Sequence, residues 1–389
     1  MPTSEIIPFN RPFIVGNELK YIAEAVTRGN IGGDGYFTQQ CALLLENQFR
    51  IDRVLLTPSC TAALELAASL CCLDPEDEVI LPSFTFVSTA SAVARLGAKP
   101  VFVDIRPDTM NIDETLIEDA ITSRTKAIFT MHYAGIGCAM DRIMEIANRY
   151  DLWVVEDAAQ GVNAFFGSKS LGSIGHMGTF SFHETKNYIC GTGGALCVND
   201  PQFIERAEIL RDTGTNRRKF LDGEVNQYTW VDLGSSWVPS EICSAFLYSQ
   251  LEMLHAITDR RRAIYTYYRD RTMPLESEGM LQIPTIPPEC RPNYHLYYVV
   301  LPDRETRDGL LRHLRNEGIH AVFHYVPLHT SPMGERFNYR AGDLPVTEEM
   351  SGRLLRLPLF YDITEVDQDR VLGQLTAFLQ NRRRRIHVV

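Results

Sequence analysis

The segment Leu152-Trp153-Val154-Val155-Glu156-Asp157-Ala158-Ala159-Gln160 begins as an apolar run and ends in polar side chains. A second segment of the same kind, Thr179-Phe180-Ser181-Phe182-His183-Glu184-Thr185-Lys186-Asn187, follows it along the chain. Short, nearly continuous apolar runs are typical of strands that crossover helices bury on both faces. Ligands of such sheets bind beyond the carboxyl ends of the strands, so we expect the polar ends of both segments to lie near a ligand.

Similar apolar runs occur before and after these two segments, and amphipathic helical stretches separate most of them. The other runs are Val54–Leu56, Val79–Leu81, Val101–Val103, Ala127–Phe129 and Ala195–Val198. The alternation predicts an α/β domain with a mostly parallel, seven-stranded sheet. The loop before the last run is too short for a crossover helix, which predicts an antiparallel pair there. We assign residues 1–250 to this large domain and its N-terminal segment.

The pattern changes in the C-terminal third of the chain. A long helical stretch at about residues 240–269 is followed by a proline-rich segment. Beyond it the sequence predicts a smaller α+β unit, with strands at 297–301 and 321–325 and helices at 306–317 and 365–380. Residues 251–389 are therefore predicted to form a small C-terminal domain.

Composition narrows the class of protein. The chain has 389 residues, is 45% hydrophobic and has a net charge of −11, which argues against nonspecific binding to nucleic acid. Its nine cysteines are scattered without metal-ligand spacing, so we expect reduced thiols and no metal. Residues 1–10 do not resemble a signal peptide, and no apolar stretch reaches the roughly 18 residues of a membrane span. The sequence predicts a soluble, cytoplasmic protein.

The polar ends of the two opening segments supply an amine, carboxylates, an amide and a hydroxyl. Pyridoxal phosphate needs such a set, because an amine forms a Schiff base with its aldehyde and a carboxylate keeps its ring nitrogen protonated. Lys186 is the candidate amine and general acid–base, Asp157 the carboxylate, Gln160 a neighbour of the phenolic oxygen, and Ser181 a phosphate ligand. The alternative for Lys186 is a solvated surface lysine, and the alternative for Asp157 is an aspartate that caps the following helix.

A phosphate site is predicted where the first strand turns into a helix. The segment Thr57-Pro58-Ser59-Cys60-Thr61-Ala62-Ala63-Leu64 would present the free N–H groups of Cys60 and Thr61 and the Thr61 hydroxyl at a helix N-terminus, which favours anions, and Ser59 is a further candidate there. An ordinary Ser/Thr cap is the competing interpretation. In Pro82-Ser83-Phe84-Thr85-Phe86 a ring is a candidate to stack on the cofactor, although aromatic residues near strand ends are more often part of the core.

These residues together resemble the sugar-nucleotide aminotransferases of the DegT/DnrJ/EryC1/StrS family, which have the fold type I of pyridoxal phosphate enzymes. The resemblance runs along essentially the whole chain. It is carried by long, unusual strings: Asp108–Asp113, Ser181–Asn187, Tyr228–Trp230 with Gly234–Ser236, Phe323–Tyr325 with Pro327–His329, and Leu357–Tyr361.

The resemblance implies roles for single residues. Lys186 matches the Schiff-base lysine, Asp157 the partner of the pyridinium, and Phe86 the ring that stacks on the cofactor. It also implies a homodimer with shared active sites, in which an asparagine of the second subunit often reaches the phosphate. Val238 stands at that position, so Ser235, Ser236 or Ser240 are candidates to replace it.

The reaction that the resemblance implies is transfer of the amine of L-glutamate to C4 of a nucleotide-linked 4-keto-6-deoxy sugar. A C3 aminotransferase, a pyridoxal-dependent sugar dehydratase and a non-catalytic regulator are alternatives. Relatives that dehydrate sugars have histidine in place of Lys186, and the N-terminal region shows no DNA-binding module. The candidate substrate residues are Tyr36, Phe37, Arg217, Arg218, Lys219, His324 and His329. The alternatives are a mobile loop for the first two, a solvated charge cluster for the three basic residues, and a structural role for the two histidines.

Overall fold

A computed structural model describes residues 6–386 of the protein. The strands are β1 (Arg53–Thr57), β2 (Glu78–Pro82), β3 (Lys99–Val103), β4 (Thr125–Met131), β5 (Trp153–Asp157), β6 (Phe165–Phe166), β7 (Lys169–Ser170), β8 (Met177–Ser181), β9 (Gly194–Val198), β10 (Cys290–Arg291), β11 (Tyr297–Val300) and β12 (Leu354–Leu357).

The α-helices alternate with these strands in the first half of the chain and dominate the second half. They are α1 (Glu18–Thr27), α2 (Tyr36–Phe49), α3 (Cys60–Leu70), α4 (Val87–Ala94), α5 (Met140–Tyr150), α6 (Ile204–Arg211), α7 (Arg217–Leu221), α8 (Glu241–Glu252), α9 (Leu254–Ser277), α10 (Arg304–Asn316), α11 (Pro332–Arg336), α12 (Pro345–Arg353) and α13 (Glu365–Ile386). Short 3₁₀ helices span Glu114–Leu116, Glu118–Ala120, Tyr133–Gly135, Pro201–Phe203 and Leu328–Thr330.

Within residues 6–386, seven strands form one large sheet in the order β1-β9-β8-β5-β4-β2-β3. The β2–β3, β2–β4, β4–β5 and β5–β8 pairs are parallel, while β9 is antiparallel to both β8 and β1. The predicted mostly parallel sheet and the predicted antiparallel pair of β8 and β9 are confirmed, while the antiparallel pair of β1 and β9 was not predicted. This arrangement brings the carboxyl ends of β1, β2, β5 and β8 to one edge, where β9 begins.

Helices cover both faces of this sheet, which is why its strands are apolar throughout. On one face α3, α4 and α6 pack against strand residues such as Leu81 and Phe129. On the other face α2 and α8 pack against Leu56 and Phe180, and α5 packs against Val154. Burial of apolar surface on both faces holds the strand ends at fixed positions.

A second core lies in the C-terminal part of the chain. Strands β11 and β12 pair antiparallel, and α9, α10 and α13 pack on them around Tyr297, Leu310, Leu355 and Leu375. The first turn of α9 packs in the core of the large sheet and its later turns pack in this second core. The domain boundary between residues 250 and 251 remains a prediction.

The structure corrects two details of the C-terminal prediction. The strand predicted at 321–325 is wrong: only Val322 forms a bridge there, to Arg356, and the partner of β11 is β12, whose apolar run is interrupted by that arginine. The helical stretch predicted at 240–269 is two helices, α8 and α9, which meet at Met253, and α9 continues past Pro274. Among the described residues, no helix combines the length and the apolar composition that a bilayer crossing requires.

Candidate active site

A cavity of about 570 Å³ opens at the edge of the sheet where the carboxyl ends of the strands meet. Most of the residues predicted to bind the cofactor line it. They are Lys186, Asp157, Gln160, Ser181, Ser59, Cys60, Thr61 and Phe86, and the predicted substrate residue His324 joins them. These side chains come from β5 and the turn after it, from β8 and the loop after it, from the N-termini of α3 and α4, and from the segment before Pro327. The fold therefore assembles one site from segments that are far apart in the chain.

Lys186 lies in the loop between β8 and β9. Backbone hydrogen bonds from Phe182 N–H to Gly193 O (2.8 Å) and from Glu184 N–H to Gly191 O (2.9 Å) tie the two sides of the loop together. Among residues 6–386 the Nζ atom of Lys186 has no hydrogen-bond or ion-pair partner. Burial lowers the pKa of Lys186 below its ordinary value, and the nearby Arg356 guanidinium lowers it further, against the opposing effects of Cys60 and Asp157. The amine is thus more easily deprotonated than an exposed lysine.

Asp157 is the last residue of β5 and is 3% exposed. Its Oδ2 accepts a hydrogen bond from Thr89 Oγ1 (2.7 Å), and its Oδ1 accepts one from Ala159 N–H (3.1 Å). The residues after Asp157 form turns rather than a helix, so the helix-capping alternative does not apply. Thr89 on α4 instead holds the carboxylate toward the cavity.

Gln160 is buried and oriented by two hydrogen bonds. Its Oε1 accepts from Ala134 N–H (2.7 Å), and its Nε2 donates to the hydroxyl of Tyr325 (3.0 Å). One N–H of the amide is left over for a ligand. Gln160 therefore connects the large sheet with the segment that carries Tyr325.

The turn between β1 and α3 combines a helix N-terminus with a close backbone approach. Ser59 caps α3, because its Oγ accepts from Ala62 N–H (3.1 Å), and the first N–H groups of the helix have no partner within it. Gly194 opens β9 directly beside this turn: a Cβ there would lie 2.4 Å from Cys60 N. Ser181 pairs with Gly194 in the sheet, so its side chain joins the same anion-binding corner.

Phe86 and His324 both line the cavity. Phe86 precedes α4 and is 55% exposed, so its ring is available to a ligand. Nδ1 of His324 lies 3.1 Å from the hydroxyl of Tyr133. Burial, with Arg356 and Lys186 nearby, holds the pKa of His324 well below its ordinary value, so its ring is neutral near pH 7.

The structure does not bring the other predicted substrate residues to this cavity. Phe37 is buried in the α1–α8 contact, and Tyr36 lies beside it at the surface. Arg217, Arg218 and Lys219 lie on the exposed α7, where they form ion pairs with Asp212, Asp222 and Glu205.

His329 also stays outside, because both of its ring nitrogens have partners. Nδ1 lies 2.7 Å from Ser83 Oγ, and Nε2 lies 3.0 Å from Glu348 Oε1. The side chain is completely buried, which agrees with the structural alternative.

Several residues of the site were not predicted from sequence, and three of them stand out. Thr89 positions Asp157, His295 lines the cavity with its Nδ1 held by Asn187 Oδ1 (2.9 Å), and Arg356 projects from β12. Only Arg356 had a signal in the sequence, since a charged residue stands inside the apolar run Leu354-Leu355-Arg356-Leu357.

The residues of this site fit pyridoxal phosphate by their chemistry. An amine without a partner in the described part of the chain suits the aldehyde, a fixed carboxylate suits the protonated ring nitrogen, and the α3 N-terminus beside Gly194 suits the phosphate. Lys186, Asp157 and the Ser59–Thr61 turn would hold the three parts of the cofactor.

Comparison with known proteins agrees with this reading of the site. A sequence profile of the DegT/DnrJ/EryC1/StrS aminotransferase family matches residues 13–376. The spore coat polysaccharide biosynthesis protein SpsC of Bacillus subtilis is 30% identical over 95% of this chain and 96% of its own. The crystal structure of DesV from S. venezuelae is 30% identical, has a TM-score of 0.88, and aligns over 97% of this chain and 99% of its own.

The fold and the site thus define a pyridoxal phosphate-dependent aminotransferase. The chain belongs to the DegT/DnrJ/EryC1/StrS aminotransferase family. The structure of Spr1654 from Streptococcus pneumoniae in its PLP form, at 24% identity, has the same fold, with a TM-score of 0.89 over 97% of this chain and 99% of that one.

Proposed function

We propose that the protein is a sugar-nucleotide aminotransferase that moves the amine of L-glutamate to C4 of dTDP-4-keto-6-deoxy-D-glucose. The products would be 2-oxoglutarate and dTDP-4-amino-4,6-dideoxy-D-galactose, or its gluco isomer. The observation that carries the proposal is the Lys186 amine, which has no partner among residues 6–386 and lies in a cavity that Asp157 also lines. The strings at Asp108–Asp113 and Phe323–His329 support the sugar, since they resemble dTDP-4-amino-4,6-dideoxygalactose transaminase.

The chain's own residues account for the proton transfers of this reaction. Pyridoxal phosphate supplies the electron sink when it is bound. Nζ of Lys186 takes the proton from Cα of the donor, and its lowered pKa favours the neutral amine that this step needs. Asp157 holds a proton on the ring nitrogen, and Thr89 keeps its carboxylate in place. The same residues would act in reverse on the keto sugar, which predicts ping-pong kinetics.

The sugar-nucleotide site would include residues of a second copy of the chain. Tyr228, Trp230, Val231 and Leu233 are exposed apolar side chains in one stretch, which supports a homodimer with shared active sites. In that dimer Tyr36, Phe37 or the Arg217–Lys219 helix would be candidates to contact the substrate of the neighbouring site, and Ser235, Ser236 or Ser240 the phosphate.

The cytoplasm is the location that we propose. All nine cysteines have free thiols in the structure, as a reducing compartment requires.

Two other reactions of the same family are the alternatives. A C3 aminotransferase would use the same residues, because only the pose of the sugar distinguishes C3 from C4. A sugar dehydratase is less favoured, because Lys186 is present. Both alternatives predict products different from the proposed one.

The test is to incubate the purified protein with dTDP-4-keto-6-deoxy-D-glucose and L-glutamate, and to identify the product by NMR. An amine at C4 with small H4 couplings is expected for the galacto isomer, whereas large couplings would indicate the gluco isomer. An amine at C3, a dehydrated sugar or no reaction would contradict the proposal. Lys186→Ala is the control, and we expect it to lower the rate by at least about 10³-fold.

A further inference from the structure

Two threonines at the N-terminus of α4 form a hydrogen-bonded chain that ends at Asp157. Thr89 Oγ1 donates to Asp157 Oδ2 (2.7 Å), and Thr85 Oγ1 lies 2.9 Å from Thr89 Oγ1. Both threonines are buried, so the protein itself has to satisfy their hydroxyl groups. The chain therefore connects α4 to the carboxylate through the interior of the protein.

The direction of the hydrogen bonds follows from the number of protons in the chain. A threonine hydroxyl has one proton to donate, and Thr89 uses it for the Asp157 carboxylate, which as an anion can only accept. Thr89 Oγ1 must then accept the proton of Thr85. Among residues 6–386 the hydroxyl of Thr85 has no other hydrogen-bond partner. Thr85 therefore donates to Thr89, and Thr89 donates to Asp157.

This chain is complete only while Asp157 is ionised. A proton on Oδ2 of Asp157 would turn the Thr89 hydroxyl toward Thr85, and the proton of Thr85 would then be buried without an acceptor. A buried donor without a partner is unfavourable. The two threonines thus favour the anion, and Ala159 N–H, which donates to Oδ1 (3.1 Å), acts in the same direction.

We propose that Thr85 and Thr89 are positioning residues that keep a proton on the ring nitrogen of the bound cofactor rather than on Asp157. A carboxylate that already accepts hydrogen bonds competes less well for the proton that it shares with the ring. The ring is the better electron sink when its nitrogen is protonated. The inference rests on the role of Asp157 as partner of the ring nitrogen, which belongs to the proposed function.

Titratable groups also lie near Asp157 on other elements. Lys186 comes from the loop after β8, Cys60 from the first turn of α3, and Tyr325 from the segment before Pro327, and the charge of Asp157 raises the pKa of each. Substitutions of the two threonines leave these three side chains unchanged. A change in the ionisation of the cofactor can therefore be assigned to the threonine chain.

The test follows the absorbance of the cofactor in the holoenzyme as the pH is changed. A proton on the ring nitrogen withdraws electrons from the Schiff base and lowers the pH midpoint of this change, so Thr89→Val should raise the midpoint by about one pH unit. Thr85→Val should raise it less, because Thr89 still donates to Asp157. Thr89→Ser and Thr85→Ser keep the hydroxyl groups and should have the midpoint of the wild-type protein.

Single turnovers with L-glutamate give a second measurement. Thr89→Val should lower the maximal rate constant about tenfold, because the ring accepts electrons less well. The half-saturating concentration of L-glutamate should stay the same, since neither threonine is among the residues that line the cavity.

Thr130→Val is the matched control. Thr130 lies in β4 and is completely buried, and its Oγ1 has no hydrogen-bond partner among the described residues. Removal of this hydroxyl should change neither the pH midpoint nor the rate constant. If Thr89→Val does not fold, Thr85→Val carries both measurements.

Asp157→Asn distinguishes failure of the inference from failure of the proposed function. A neutral amide does not hold a proton on the ring, so this variant should have a higher midpoint than either valine variant. If Asp157→Asn raises the midpoint and the valine variants do not, the threonine chain has no such role and that of Asp157 stands. An unchanged midpoint in Asp157→Asn would overturn both. An equal shift in Thr130→Val would also overturn the inference.

Discussion

Burial and nearby cations lower the pKa of His295, which lines the active-site cavity. His295 is 9% exposed, and its Nδ1 donates to Asn187 Oδ1, whose own amide donates to Asn293 O (2.9 Å). Burial holds the pKa of His295 well below its ordinary value, and Lys186 and Arg261 lower it further. The folded protein therefore prefers the neutral ring.

This preference makes stability depend on pH. Below the ordinary histidine pKa of about 6.5, the unfolded chain binds a proton that the folded chain excludes, so stability is lost as the pH falls. We expect the apoprotein to lose at least about 1 kcal/mol more than His295→Gln between about pH 7 and about pH 5. Urea unfolding at a series of pH values measures this difference. Equal losses in both proteins would show that His295 does not titrate as proposed.

At the scale of elements, the phosphate corner depends on how closely β9 approaches α3. Gly194 begins β9 beside the first residues of α3, and a Cβ there would lie 2.4 Å from both Cys60 N and Ser59 C. Both contacts are with backbone atoms, which have no side-chain rotamer by which to yield. The helix N-terminus and the strand thus share one narrow space.

Gly194→Ala is expected to push the start of β9 away from the N-terminus of α3. The clash should cost about 1–3 kcal/mol of unfolding free energy and weaken pyridoxal phosphate binding more than about tenfold. Thermal unfolding of the apo and holo forms, with cofactor titration, measures both effects.

Gly373→Ala is the matched control for that variant. Gly373 lies in α13, where a Cβ would meet no atom within 4 Å, so alanine should stabilise the helix by up to about 1 kcal/mol. Unchanged cofactor affinity in Gly194→Ala would refute the role of this contact.

At the scale of the whole molecule, the proposed homodimer explains an apolar surface. Leu233 is 78% exposed and lies in the same stretch as Trp230 and Val231. Exposed apolar side chains that cluster in this way commonly mark interaction surfaces. A second copy that covers them would also place residues near the neighbouring cavity.

Leu233→Asp should shift the protein from dimer to monomer, because a charge would be buried in the interface without a partner. Analytical ultracentrifugation measures the mass, and the transamination rate should fall together with the dimer fraction. Val366→Asp is the control: Val366 is 77% exposed in the first turn of α13, where an acidic residue is favoured. A wild-type monomer, or a dimer that tolerates Leu233→Asp, would contradict this arrangement.

The sequence by itself determined the α/β class, the strand ends and most of the residues that line the candidate cofactor cavity. This worked because Lys186, Asp157 and the Ser59–Thr61 turn each follow an apolar run, and the carboxyl ends of parallel strands meet at one edge. The local pattern around each residue was therefore enough to place it near the ligand.

Only the tertiary structure decided what Thr89, His295 and Arg356 do. Their importance comes from neighbours in distant segments: Thr89 contacts Asp157 from α4, His295 contacts Asn187, and Arg356 reaches the cavity from β12. The structure likewise separated His324, which lines the cavity, from His329, which Ser83 and Glu348 hold outside it. Hydrogen-bond partners and burial depend on how distant segments pack, and local sequence patterns do not record that packing.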